Sequence, residues 1–474
     1  MFDQIHEECG VFGIYNNDGR SIAHETYLAL YALQHRGQNS CGIAINDSGV
    51  MKVHKDLGLV PDVFDEKSLA ELGSGDIAIG HVRYSPSNET ERANNQPLVM
   101  RYVKGTIAIA CNGTLVNTHE IRKELEQGGA IFQTSSDLEL VAYLIARARL
   151  KSGSIEAALK EAMAKIEGAY SLVLMSPRKL IACRDPHGFR PLCMGKLGES
   201  YVFASETCAF DSIGAEFVRD VEPGEIILVD ENGMKSLRGM ECTKSSLCIF
   251  EHVYVARPDS VIDGASVHMA RQKAGAFLAK RTPVDADIVI GVPDSGLDAA
   301  LGYANESGIP YGTGFIKNRY VGRTFIQDSQ IRRERSVKIK LNPLAAAVKG
   351  KRVVMIDDSI VRGTTSAHIV ELLRKAGATE VHVRISSPPF MHPCYFGTDI
   401  DSRDKLIACR MSIDEICKSI GADSLAYLEL EDLMQIAPES TCDFCNGCFT
   451  GIYPVDIPGE VPVDKFNQKI VKNK

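Results

Sequence analysis

VVMIDDSIVRGTTS occupies residues 353–366, and its reading decides the fold of the second half of the chain. The apolar run Val353 to Ile356 ends on two acids, Asp357 and Asp358, and a loop with Gly363, Thr364 and Thr365 then opens a helix. That helix, SAHIVELLRKAG (366–377), leads into a further strand, EVHVRIS (380–386). Upstream, DIVIGV (287–292) is another β-rich run, followed by PDSG and the helical LDAALGYANESG. Strand, tight loop, helix, strand is a βαβ unit, so this half is expected to hold a parallel sheet with its ligands at the C-terminal strand ends. Backbone N–H groups and the dipole at the helix start make a phosphate cradle, although the GxxxxGK[ST] loop is absent. Two acids beside such a cradle fit ribose hydroxyls or a metal. The bland alternative is that they cap a strand and solvate a turn.

The first half reads differently. From residue 10 to about 240, short apolar strands such as Gly75 to Tyr84, Gly105 to Ala110, Leu180 to Ala182 and Tyr201 to Ala204 alternate with turn residues. Two helices interrupt them: DLELVAYLIARARL (137–150), capped by Ser136 or Asp137, and Ile155 to Ile166, which runs into the strand AYSLVLM. Strands with segregated helices point to a layered α+β domain. The tail from about Ile436 is rich in Pro and Cys and reads as irregular.

Composition bounds the function. The 474 residues are 45% hydrophobic and 24% charged, which excludes a disordered polymer and sets a prior of about three domains. With 53 basic and 61 acidic residues the net charge is −8, which argues against a general nucleic-acid binder and makes any anion site local. No apolar run approaches the ~20 residues of a membrane helix, and the N-terminus lacks the basic and apolar regions of a signal peptide. A cytoplasmic location is expected, with the 14 cysteines kept reduced.

Two stretches need a chemical reason. Residues 317–340 (KNRYVGRTFIQDSQIRRERSVKIK) carry eight basic residues against two acidic ones. They read as a solvated loop, an RNA site, or a loop that closes over an anionic leaving group and excludes water. CDFCNGC (Cys442, Cys445, Cys448) is a double CxxC, a strong metal or cluster signal. Structural zinc is the rival, and it would usually show a second close ligand pair.

The segments ECGVFGIY, LQHRGQNSCGIA, HVRYS, NNQPL, CNGTLVN and SSDLEL, in this order and spacing, resemble the N-terminal-nucleophile glutamine amidotransferases. The resemblance implies an αββα glutaminase domain in which residues 1–8 are a propeptide and Cys9 becomes the N-terminus. One residue then supplies a thiol, with a free pKa near ~8.5, and an α-amine base near ~7.7–8.0. Asn112 and Gly113 match the family's oxyanion hole, Arg83 the arginine on the glutamine α-carboxylate, Asp137 the carboxylate for its ammonium, and Arg36 a less central glutamine-side position. Two departures stand out: Pro86 where the family usually has Thr, and Cys111-Asn112-Gly113-Thr114 where it has His-Asn-Gly-Asn.

The 353–366 run is similar to the 5-phosphoribosyl 1-diphosphate signature of type I phosphoribosyltransferases, an α/β fold. This implies that Asp357, Asp358, Ser359, Arg362, Gly363, Thr364 and Thr365 bind that substrate, and that Ser295 with both acids surrounds Mg²⁺. Together the two halves resemble the glutamine–phosphoribosyl diphosphate amidotransferases. These hydrolyse glutamine and pass the ammonia to C1 of phosphoribosyl diphosphate, releasing pyrophosphate and forming 5-phosphoribosylamine, the first step of de novo purine biosynthesis. One subgroup carries a [4Fe–4S] cluster, whose cysteines match Cys248, Cys394, Cys445 and Cys448, with Cys442 a competing thiol. The family further implies a homotetramer, purine-nucleotide inhibition, and no nucleic-acid or membrane partner. The expected divisions are 1–8 propeptide, 9–243 glutaminase domain, 244–440 phosphoribosyltransferase domain and 441–474 cysteine-containing tail. The IDDSIVRGTTS run argues against glucosamine-phosphate and asparagine-forming amidotransferases. A phosphoribosyl-diphosphate sensor with an iron–sulfur switch is the rival from another class, disfavoured by the intact Cys9, Asn112 and Gly113.

Overall fold

In the first half, side chains that alternate along each strand generate three apolar layers from two sheets. The strands are β1 (Gly10–Tyr15), β2 (Ser40–Asp47), β3 (Val50–Leu57), β4 (Ile77–Arg83), β5 (Leu98–Tyr102), β6 (Gly105–Asn112) and β7 (Ser171–Met175). They continue with β8 (Leu180–Arg184), β9 (Cys193–Leu197), β10 (Ser200–Ala204), β11 (Glu216–Asp220), β12 (Glu225–Asp230) and β13 (Gly233–Arg238). One sheet has the order β11-β9-β10-β1-β4-β2-β3 and the other β13-β12-β8-β7-β6-β5, with antiparallel pairing throughout. Val11, Ile79, Ala108, Ala110 and Val173 pack between the sheets. Their neighbours Phe12 and Ile14 face outward against the helix Ile22–Ala32, and Ile107 and Ile109 face the helices Asp137–Lys151 and Ile155–Met163. This is the expected αββα layering. The structure, a computed structural model, describes residues 9–84, 92–318, 341–400, 402–457 and 459. Residues 1–8, Pro86 and positions 319–340 of the basic stretch lie outside the described residues.

The second half begins with β14 (Leu247–Cys248), the small hairpin β15 (Val261–Ile262) and β16 (Ala265–Ser266), and the helix Val267–Arg281. Its central sheet contains β17 (Ile288–Gly291), then, beyond the pair β18 (Phe315–Lys317) and β19 (Leu341–Pro343), β20 (Arg352–Asp357), β21 (Glu380–Ile385) and β22 (Ser424–Tyr427). The order is β17-β20-β21-β22, all parallel. Val289, Val354 and Ile356 face the helices Val267–Arg281 and Gly296–Ser307, while Ile290, Val353 and Met355 face the helix Thr364–Lys375. Covering on both faces is why these strands read as unbroken apolar runs. In the tail, β23 (Phe444–Cys445) pairs in parallel with β14, setting Cys248 opposite Cys445.

Candidate active site

Cys9 lies directly before β1, and the end of β4 gathers the other glutaminase candidates around it. Gly10 pairs with Val82, and His81 Nε2 donates to the Cys111 carbonyl at 3.1 Å, so the start of β1 and the end of β6 meet there. The Cys9 thiol donates to the Tyr84 carbonyl at 3.7 Å. Asn112, the last residue of β6, is buried, and its Nδ2 has no hydrogen-bond partner among the described residues. A buried orphan donor costs about 1–3 kcal/mol. Such a cost is characteristic of a donor reserved for charge that develops only during reaction. Gly113 follows at φ +130°, and a Cβ there would lie 2.3 Å from the Ala169 carbonyl oxygen, so the turn admits only glycine. Asp137 Oδ2 accepts from the Leu115 N–H at 3.3 Å, which ties the same turn to the start of a helix capped by Ser136. Arg83 ends β4 beside Tyr84, whose hydroxyl donates to Asp399 Oδ2 at 2.9 Å from the other half of the chain.

Arg36, expected at a less central glutamine-side position, is placed on the main chain of Cys9 and between two glutamates. It is fully buried; its Nε donates to the Cys9 carbonyl at 3.1 Å, and its two terminal nitrogens bind Glu206 and Glu251. Burial alone would raise the Glu206 carboxyl pKa, but His35 and Arg36 outweigh it and hold the group below the usual carboxylate range. Glu206, Glu251 and Arg190 were not legible as site residues, because nothing in their local sequence marks them as partners.

His81 carries a pH signature. Burial pushes its imidazole down to about 3, and Nδ1 has no partner among the described residues. The unfolded chain takes up this proton below about 6.5 and the folded chain does not, so stability falls as pH drops from about 6.5 toward 3, by about 1.4 kcal/mol per pH unit. Urea-unfolding midpoints at pH 7, 6 and 5 are expected to show this slope, and His81→Gln to flatten it. A variant that kept the full slope would exclude His81 as its source.

At the second site, Asp357 ends β20 and Asp358 follows it, and both are buried. Asp358 Oδ1 accepts from Ser295 Oγ at 2.5 Å and Oδ2 from Ser359 Oγ at 2.5 Å, while Asp357 Oδ1 accepts from the Asp358 N–H at 3.0 Å. Burial, and then the neighbouring Asp358 charge, pushes the Asp357 pKa far up; burial also raises Asp358, partly offset by the two hydroxyls. Gly363, at φ +85°, turns the chain into the twelve-residue helix Thr364–Lys375. Ser295, Asp357, Asp358, Ser359, Gly363 and Thr365 line one cleft, which Arg362 and Thr364 do not line. Tyr254, from the segment that links the two halves, also lines it and was missed from sequence. Lys317, first of the basic stretch, pairs with Asp294 in the PDSG segment that follows β17.

The cysteines separate into two groups. Cys248, Cys394, Cys445 and Cys448 line a single cavity whose other walls include Phe189, Phe250, Phe396 and Tyr453. The Phe396 N–H donates to Cys394 Sγ at 3.4 Å. Cys442 is absent from this lining; it is buried with Leu247, Ala256, Ile262 and Val267. Among the described residues, no three His, Cys, Asp or Glu side chains already form a group able to hold a metal ion.

Residues 81–212 match the glutamine amidotransferase domain family, and residues 267–386 the phosphoribosyl transferase domain family. Over 468 residues the chain is 50% identical to the amidophosphoribosyltransferase of Synechocystis sp., covering 98% of this chain and 94% of that protein. The chain belongs to the amidophosphoribosyltransferases. The Bacillus subtilis amidophosphoribosyltransferase is 48% identical over 460 residues, covering 96% and 95% of the two chains. A solved structure of the B. subtilis enzyme complexed with ADP and GMP superimposes with a TM-score of 0.88, covering 96% of this chain and 99% of that one. A second structure, described as the allosteric regulatory enzyme of purine biosynthesis, is 46% identical, with a TM-score of 0.90 and coverage of 98% and 100%. An amidophosphoribosyltransferase joins a glutaminase domain to a phosphoribosyltransferase domain, and this chain carries out glutamine-dependent amidotransfer to phosphoribosyl diphosphate in purine biosynthesis.

Proposed function

We propose that the two sites divide the reaction as follows, and the observation that carries the reading is the buried Asn112 Nδ2, without a hydrogen-bond partner among the described residues, at the strand end that meets the start of β1. Removal of residues 1–8 leaves Cys9 as the N-terminus, its α-amine taking the thiol proton. Sγ attacks the glutamine side-chain carbonyl, Asn112 Nδ2 and the Gly113 N–H receive the oxyanion, and ammonia leaves as the thioester forms. Water then releases glutamate. Arg83 and Asp137 hold the glutamine α-carboxylate and ammonium. At the second site the ammonia displaces pyrophosphate from C1 of phosphoribosyl diphosphate. Ser359, Gly363 and Thr365, with Arg362 and Thr364 nearby, cradle the 5-phosphate at the helix start, and Asp357 and Asp358 hold the ribose diol. The oxygens of Ser295, Asp357 and Asp358 suit a hard divalent cation such as Mg²⁺, which would neutralise two acids that burial otherwise penalises.

The donor set around the cysteine cavity fits a [4Fe–4S] cluster: four thiols, aromatic walls and an N–H directed at one sulfur. The balanced reaction transfers no electrons, so a cluster held by Cys248, Cys394, Cys445 and Cys448 is structural, tying the linking segment, the catalytic half and the tail. The divisions 9–243, 244–440 and 441–474 follow from this reading. A cytoplasmic homotetramer inhibited by purine nucleotides completes it, supported by the nucleotides in the B. subtilis complex.

The test is pyrophosphate release by anaerobically purified protein with Mg²⁺, supplied with glutamine or with ammonium. Turnover with both donors is expected, and no release with either would overturn the reading. The same preparation is expected to be brown, with about four iron atoms per chain. Colourless protein with stoichiometric zinc would sink the cluster assignment.

A further inference from the structure

Cys9 is held by Arg36, and Arg36 in turn by a residue of the other half of the molecule. The guanidinium of Arg36 is a rigid planar fork, so fixing two of its nitrogens fixes the third. Its terminal nitrogens donate to Glu251 Oε2 at 2.9 Å and Oε1 at 2.8 Å, and its Nε donates to the Cys9 carbonyl at 3.1 Å. Glu251 lies 215 residues further along the chain, in the turn Glu251–Val255 that follows β14. Arg190 braces it, donating to Oε1 at 3.3 Å and also reaching the Phe396 carbonyl and Thr398 Oγ1. The side chains of Arg36, Arg190, Glu206 and Glu251 have no solvent exposure, so water cannot stand in for a lost partner.

We infer that Glu251 is a positioning residue for glutamine hydrolysis: through Arg36 it fixes the main chain of the residue that carries both nucleophile and base. This rests on the proposed reading of Cys9 as the N-terminal nucleophile. The carbonyl of Cys9 is a main-chain handle that the chemistry does not use. A rotation there swings Sγ and the α-amine together away from the glutamine carbonyl, and misplacement by about 1 Å costs about 10²-fold in rate.

The experiment uses the full chain with Glu251→Gln, which keeps the shape and removes the charge. Glutamine-dependent kcat is expected to fall at least ~10-fold with little change in the KM for glutamine, while ammonium-dependent turnover stays within about twofold. Because Sγ and the α-amine move together as parts of one residue, the amine still takes the thiol proton, so the glutamine pH–rate profile should keep its midpoint in the α-amine range near ~7.7–8.0. Arg36→Lys should reproduce this pattern, and the double variant should be no worse than the more damaged single one. If Glu251→Gln does not fold, Glu251→Asp, which withdraws the carboxylate by one methylene, reads the same split. Unchanged glutamine turnover, equal loss with both donors, or multiplying losses in the double variant would overturn the assignment. Glutamine use surviving in Cys9→Ala would instead sink the underlying reading of the nucleophile.

Discussion

Cys9→Ala is expected to lose at least ~10³-fold of glutamine-dependent pyrophosphate release while keeping ammonium-dependent release near the wild-type rate. In the proposed mechanism the thiol is the atom that becomes acylated, and no buried cysteine of this half replaces it. Burial pushes up the pKa values of Cys41, Cys111, Cys183, Cys193 and Cys208, so none offers a thiolate at neutral pH. The second site needs only ammonia, whichever way it arrives. Steady-state release of pyrophosphate with each donor measures both halves in one preparation. Equal loss with both donors would mean that Cys9 supports the fold and not the chemistry.

Asp357→Ala and Asp358→Ala are expected to remove both activities, each by about 10²–10³-fold, because both donors converge on the same displacement at C1. The folded protein should tolerate the change. In the absence of a bound cation the two buried acids disfavour their own ionisation, so removing one relieves a penalty. Thermal melting at neutral pH is therefore expected to be unchanged or raised, together with the loss of activity. A variant that kept full turnover would remove that acid from the site. One that simply unfolded would make it a structural residue.

The elements were legible where one period dominates. The run 353–356 became β20, the helical stretch 366–377 is the helix Thr364–Lys375, which starts and ends two residues earlier, and Ser136 proved to be the cap that sequence left open between itself and Asp137. The helix expected to reach Ile166 stops at Met163, where the chain turns toward β7, and the strand read as Leu180 to Ala182 extends to Arg184. The division of the early strands into two facing sheets was not legible, because a half-buried strand alternates in the same way whichever sheet it joins. At the sites, Cys9, Asn112 and Asp358 could be singled out from short motifs. Arg36 could be singled out too, but not its task, which depends on Glu206 and Glu251, both far away in sequence. Four cysteines share a cavity and Cys442 is excluded from it, a sorting made by the packing of Leu247 and Ile262 and not by CxxC spacing.

The pairing of β14 with β23 has a consequence for how the protein is made. Cys248 and Cys445 are roughly two hundred residues apart in the chain, and each supplies a wall of the same cavity. Domains fold as they leave the ribosome, N-terminal part first, so the glutaminase sheets, which end at Arg238, can close before any of this cavity's four thiols is made. The cavity is completed only once Cys445 and Cys448 have been made. Cys248 therefore waits as a free thiol on the nascent chain until its partners are made, and it is during translation, more than in the finished enzyme, that an oxidising environment would do the most harm.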